Sequence, residues 1–140
     1  VRVGFTGTRE GMTEAQLFAV SNLLALSGAV AVHHGDCVGV DAQAHALALW
    51  FGIPVVLHPP SDPKARAFCG RAAEVRVEAP YLTRNEQIVD EVDLLIAVPA
   101  QAQEVLRSGT WATVRYARRK GVPVKVIGPD GDEVRGAGSE

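Results

Sequence analysis

The stretch "AVAVHHGDCVGVDAQAHALALWFGIPVVLHPP", Ala29 to Pro60, decides the fold. It opens on an apolar run, Ala29–His34, that reads as a strand. A turn with glycines at 35 and 39 follows. Val38 to Phe51 then has helical length and is stopped by Gly52 and Pro54. A second β-rich run, Pro54–Pro60, reads as another strand. Strand, helix and strand in so few residues make the repeating unit of a parallel sheet.

The same alternation extends in both directions. "VRVGFTG" (Val1–Gly7) reads as a buried first strand. Thr13–Ser27 reads as a helix, with Leu17, Val20, Leu23, Leu24 and Ser27 near helical spacing, Thr13 as cap and Gly28 as stop. Ser61–Pro80 is polar and irregular, with a short strand expected inside "EVRVEA" (Glu74–Ala79). Leu82–Glu91 reads as a helix, and "DLLIAVP" (Asp93–Pro99) as a strand covered on both faces, because it has no polar alternation. Ser108–Lys120 reads as a helix closed by Gly121, and "PVKVIG" (Pro123–Gly128) as the last strand. The expectation is an α/β fold: a Rossmann-like three-layer α/β/α arrangement with a mostly parallel sheet. It forms one domain over residues 1–128, followed by a polar, flexible tail over 129–140.

Composition narrows the function. The 140 residues are 47% apolar, enough for one core, and no apolar run reaches the roughly 20 residues of a membrane span. No basic segment followed by an apolar stretch and a cleavage site is visible near residue 1, so the expected location is cytoplasmic, with no membrane partner. A net charge of −2 argues against a general nucleic-acid coat, though not against a local basic patch. The two cysteines, Cys37 and Cys69, fit neither a CxxC pattern nor a disulfide framework.

Within the opening stretch, "HHGDCVGVDAQAH" (His33–His45) admits three chemistries. Histidines, Asp36 and Cys37 suit a metal. Cys37 or a carboxylate suits catalysis. Glycines before a helix suit a phosphate. Adjacent His33 and His34 point to opposite faces of a strand, and no close ligand spacing such as HExxH occurs, so no metal site is expected. Asp41 and His45 are four apart and share a helix face, either as an acid–base pair or as a structural hydrogen-bonded pair.

Ligands of open α/β sheets bind beyond the carboxyl ends of the strands. Those ends carry Gly7, Thr8, Arg9 and Glu10 after the first strand, and Gly35–Asp41 after the second. His58 follows the third strand, and a polar loop leading to Arg107, Ser108, Gly109 and Thr110 follows the fourth long one. Glycines admit close backbone approach, helix N-termini offer free N–H groups, and arginine offers a fork for an anion. Gly35 and Gly39 also suit a plain tight turn, and Ser108 a plain helix cap. Neither "GFTGTRE" nor the second loop matches GxGxxG or GxxxxGK[ST], which argues against an ordinary dinucleotide fold or an ATPase P-loop.

These residues resemble a known superfamily. "GFTGTRE", "HGDCVGVDAQAH", "YLTRNEQIVDEVDLLIAVP" and "RSGTWATVRYARRKGVPVKVI" follow one another as in the SLOG superfamily, and most resemble the Rossmann-like domain of the DNA-processing protein A (DprA) family. The resemblance covers Val1 to Gly128 and implies a stand-alone domain. It implies binding of a nucleotide, a nucleotide-derived ligand or single-stranded nucleic acid, without catalysis and without a cofactor, in a homo-oligomer. The implied contacts are Gly7, Thr8, Arg9, Gly35, Asp36, Gly39, Arg84, Asn85, Ser108, Gly109 and Thr110.

Two alternatives remain. One is a single-stranded DNA-binding recombination mediator that uses Arg84 and the basic cluster Arg115–Lys120. The other is a nucleotide N-glycosidase resembling the Lonely Guy phosphoribohydrolases. There the family's catalytic glutamate falls on Thr113, which leaves Asp36, Asp41 or Glu10 as the acid. Trp111, Tyr81 and Phe68 each suit either base stacking or packing.

Overall fold

The computed structural model describes residues 1–135. Six strands form one sheet: β1 (Arg2–Gly7), β2 (Ala31–His34), β3 (Val55–Leu57), β4 (Glu74–Val75), β5 (Leu94–Val98) and β6 (Val124–Val126). Every pairing is parallel, in the order β4-β3-β2-β1-β5-β6. The helices are α1 (Glu14–Leu26), α2 (Val40–Trp50), α3 (Tyr81–Glu91) and α4 (Gly109–Lys120). The chain is thus the expected Rossmann-like α/β fold, with an entirely parallel sheet. The strand order reverses between β1 and β5, so a crevice opens at their carboxyl ends.

Alternation along the strands sorts the core into two layers. Val3, Phe5, Val32, Leu57, Ile96 and Val98 pack in one cluster with Val20 and Leu24 of α1 and Val40, Ala44 and Ala48 of α2. On the other side, Leu95 joins Val89 of α3 and Ala117 of α4, and Ala97 joins Trp111 and Val114. Each large aliphatic side chain removed from water contributes about 1.5–3 kcal/mol. Trp111 therefore fills core, which removes it as a base-stacking residue; it is 2% exposed.

Local rules place the helix ends. Thr13 caps α1 with a reciprocal box: its hydroxyl accepts from the Gln16 N–H at 3.1 Å, and the Gln16 side chain accepts from the Thr13 N–H at 3.0 Å. The buried face of α1 is Gln16, Val20 and Leu24, whereas Leu17, expected inside, is exposed. Gln16 belongs there because its amide also donates to the Pro99 and Ile127 carbonyls, at 2.9 and 3.0 Å, beyond β5 and β6. The strand expected in Glu74–Ala79 is real only at Glu74–Val75, an exposed edge.

In the segment read as a tail, the Gly128 N–H donates to the Asp132 carbonyl and Val134 returns to β6. Residues 136–140 lie outside the described residues. Among the described residues no helix is long and apolar enough to cross a membrane.

Candidate functional site

A cleft of about 490 Å³ opens where the sheet order reverses. Its floor is the end of β1, Phe5–Gly7, and its walls are the loops after β1, β2 and β5 together with α3. Of the residues singled out in the sequence, Gly7, Thr8, Arg9, Glu10, Gly35, Asp41, Arg84, Asn85, Ser108, Gly109 and Thr110 line it. Cys37, Tyr81, Gln101, Val105 and Arg107 line it as well.

Glycine builds the junction between the β1 and β2 loops. A Cβ on Gly7 would sit 2.5 Å from Val40, so α2 can close on the end of β1 only with glycine there. Gly39 has φ of +88° and would drive a Cβ 2.5 Å from the Thr8 carbonyl oxygen. It does not line the cleft; it lets the first turn of α2 pack under Thr8–Arg9, where the Val40 N–H donates to the Thr8 carbonyl at 3.1 Å. The Thr8 hydroxyl accepts from the Glu10 N–H at 3.1 Å and, among the described residues, donates to no acceptor. Ser108 caps α4 by accepting from the Trp111 N–H at 3.2 Å. The N–H groups of Gly109 and Thr110 then lie in the first turn, where no intrahelical acceptor exists.

Arg84 is the central cation. It is only 5% exposed. One guanidinium nitrogen donates to the Gly35 carbonyl and, at 3.2 Å, to the His58 carbonyl, while Nε donates to Asn85 Oδ1 at 2.7 Å. The Cys37 sulfur lies 3.7 Å from its Nη2. Tyr81 lies between two arginines: the Arg9 guanidinium carbon is 4.8 Å and that of Arg84 5.4 Å from the ring centroid. Among the described residues, no carboxylate lies within ion-pair distance of Arg9, Arg84 or Arg107.

The carboxylates divide. Asp36 is fully buried and faces away from the cleft. Its Oδ2 accepts from Arg66 Nε at 2.8 Å and its Oδ1 from the Cys69 N–H at 2.9 Å. Asp36 also has φ of +56°, the left-handed region that aspartate tolerates better than most residues. Asp41 does line the cleft. Its Oδ2 accepts from the Gly35 and Cys37 N–H groups at 3.1 and 3.3 Å. Burial pushes its carboxyl up to about 6, against the opposing pull of the Arg84 charge and the two N–H groups. Asp41 and His45 do not bond to each other, so neither form of the pairing expected from their spacing exists.

The histidines do point to opposite faces, and each finds a partner from elsewhere in the chain. His33 Nδ1 lies 2.9 Å from His58 Nε2, and His34 Nε2 lies 2.9 Å from His45 Nδ1. With Cys69 and Glu91 they make two sets of donor atoms near enough to share a cation: His34, His45, Cys69 and His33, His58, Glu91. The first set is committed otherwise. The Asp36 N–H donates to His34 Nδ1 at 2.9 Å, so the His34 proton sits on Nε2 and points at His45 Nδ1; His45 Nε2 then donates to the Gly70 carbonyl at 2.7 Å. In the second set, Arg76 holds both Glu91 oxygens, at 2.7 and 2.9 Å, and brings its own positive charge. The thiols are no better prepared for nucleophilic work. Burial and Asp41 push Cys37 up, and burial and Asp36 push Cys69 up to about 12.

Thr113, at the hydrolase glutamate position, lies outside the cleft. Its hydroxyl donates to the Gly109 carbonyl at 2.8 Å, and its side chain faces a smaller cavity between α3 and α4. Within the basic cluster Arg115 pairs with Glu104 and Arg119 and Lys120 lie over the Tyr116 ring, while among the described residues Arg118, Arg119 and Lys120 have no ion pair. Phe68 is exposed under Arg66, away from the cleft.

No protein-family model matches the chain, and no curated protein matches it significantly. Solved structures do share its fold. A molybdenum cofactor binding protein from the phototrophic bacterium Rippkaea orientalis superposes with a TM-score of 0.68 at 23% identity, over 89% of this chain and 74% of that one. The structural-genomics target TM1055 superposes at 0.62 and 17% identity, over 88% and 71%. DprA from Streptococcus pneumoniae superposes at 0.67 and 22% identity, over 90% of this chain and 50% of DprA. The chain thus spans half the length of DprA, and the likeness to DprA expected from the motifs is present in the fold.

Proposed function

We propose that the cleft binds a nucleotide or nucleotide-derived phosphate, and that the domain works as a binding or sensing module. Arg84 carries this reading. A guanidinium that is 5% exposed and has no carboxylate partner is costly to keep. An anion in the cleft offsets that cost, and Arg9, Arg107 and the α4 N-terminus add donors around the same space. Asp36 and Thr113 have other partners, so the hydrolase alternative keeps only Asp41 and Glu10 as acids in the cleft. The single-stranded DNA reading has less support from the cleft, because Arg118, Arg119 and Lys120 at the end of α4 do not line it.

Thermal unfolding against a panel of nucleoside monophosphates tests this. A ligand at a hundredfold excess over its Kd stabilises by about 2.7 kcal/mol. The expected outcome is a raised Tm that Arg9→Ala or Arg84→Lys removes, with no free base released. No shift from any member at millimolar concentration would overturn the reading. Base release abolished by Asp41→Asn would favour the hydrolase, and oligonucleotide binding that weakens steeply with salt would favour the DNA reading.

A further inference from the structure

The two ends of the cleft differ in chemistry. At the α4 end stand Arg107 and the unbonded N–H groups of Gly109 and Thr110, all favouring an anion. At the β2 end Asp41 stands beside Arg84 on the Gly35–Cys37 turn, so this end also offers a carboxylate acceptor, which the α4 end lacks. Asp41 is 7% exposed, and both of its hydrogen bonds within the chain fall on Oδ2. Oδ1 accepts none among the described residues, on a side chain that lines the cleft. With no donor from the chain, that oxygen is left to the water or ligand of the cleft.

We propose that Asp41 is a specificity-determining residue that accepts a hydrogen bond from a sugar hydroxyl, so that the cleft selects ribose phosphates over deoxyribose phosphates. This rests on the anion-binding reading above. The ligand spans the cleft from a phosphate at the first turn of α4 to ring hydroxyls at the first turn of α2. The end of β1, Thr6–Thr8, lies between them on the floor of the cleft.

Titration calorimetry at pH 8 tests this, using inorganic phosphate and the four ribonucleoside monophosphates against their 2′-deoxy counterparts. A hydrogen bond to a charged acceptor is worth enough to expect at least about tenfold tighter binding of the ribo forms. Asp41→Asn keeps an oxygen for the Gly35 and Cys37 N–H groups and turns the free Oδ1 position into a donor. The ribo preference should then shrink, because a hydroxyl bonds a neutral amide more weakly than a carboxylate, and inorganic phosphate should bind no more weakly. Equal binding of ribo and deoxy forms by the unmodified protein overturns the proposal while leaving the anion-binding reading intact. So does a preference undiminished in Asp41→Asn. If neither phosphate nor any nucleotide binds, the anion-binding reading fails and takes this proposal with it.

Discussion

Arg66 Nε lies 2.8 Å from Asp36 Oδ2, and this pair fastens the irregular segment after β3 to the turn after β2. The Cys69 N–H and the Asp36 carbonyl, which accepts from the Ala67 N–H at 2.8 Å, extend the same seam. Asp36 therefore braces the back of a cleft wall whose front is Gly35, Cys37 and Asp41.

Removing one partner of a buried pair leaves an uncompensated charge, which costs about 3–5 kcal/mol. Asp36→Asn should approach the lower end of that range in urea unfolding, because asparagine keeps the φ of +56° and one acceptor for the Cys69 N–H. Arg66→Ala should cost at least as much, since it strands the fully buried Asp36 carboxylate, whereas Arg66 without Asp36 is partly in water and keeps Glu78. A double-mutant cycle should return a coupling of about 1 kcal/mol or more. A coupling near zero would remove the brace.

Acid should unfold the protein from below neutrality. Burial lowers the pKa of His33, His34 and His58, to about 3 for the last two. The unfolded chain takes up these protons near the ordinary value of 6.5, so stability is lost as pH falls through that value. Asp41 acts in the opposite sense: with its folded value raised to about 6, its contribution is present at low pH and is lost as pH rises towards 6. His34 and His58 against Asp41 leave a net uptake of about one proton on unfolding between pH 6 and 4, and His33 adds to it, so stability falls by about 1 kcal/mol or more per pH unit. Unfolding free energies at pH 7, 5.5 and 4.5 read this directly. A flat profile would contradict it.

Arg115 holds the loop between β5 and α4. It donates to Glu104 at 2.7 Å and to the Leu106 carbonyl at 3.0 Å, and that loop carries Gln101, Val105 and Arg107 into the cleft. Arg115→Ala should cost under about 1 kcal/mol of global stability, because the pair is partly exposed. Amide exchange in residues 101–107 should accelerate while the strands keep their protection. Unchanged exchange in the loop would show that Arg115 does not hold it.

The legible part of the protein was local. Thr13, Ser108 and Gly121 mark helix ends through bonds to residues a few positions away, and they do so here. The unbroken apolar run of "DLLIAVP" marks a strand covered on both faces, and β5 lies inside the sheet. Where the reading failed, the partner was distant in sequence. Leu17 was expected inside and Gln16 took its place, because carbonyls more than eighty residues away accept from the Gln16 amide. Asp36 looked like a cleft acid from its place in a glycine turn, but Arg66, thirty residues on, draws it to the back. Tyr81 suits stacking or packing from the sequence, and the structure sets its ring against the guanidinium groups of Arg9 and Arg84.

The sequence by itself determined the parallel α/β fold and the strand ends that border the cleft, since periodicity, glycines and caps act over a few residues. Only the tertiary structure decided which of those side chains face the cleft. Side-chain direction at a turn follows from the hydrogen-bond partner it finds, and the partners of Asp36, Asp41, His33, His34 and Arg84 arrive from other elements. In "AVAVHHGDCVGVDAQAHALALWFGIPVVLHPP", that difference separates Asp36, a brace, from Asp41, the carboxylate that lines the cleft.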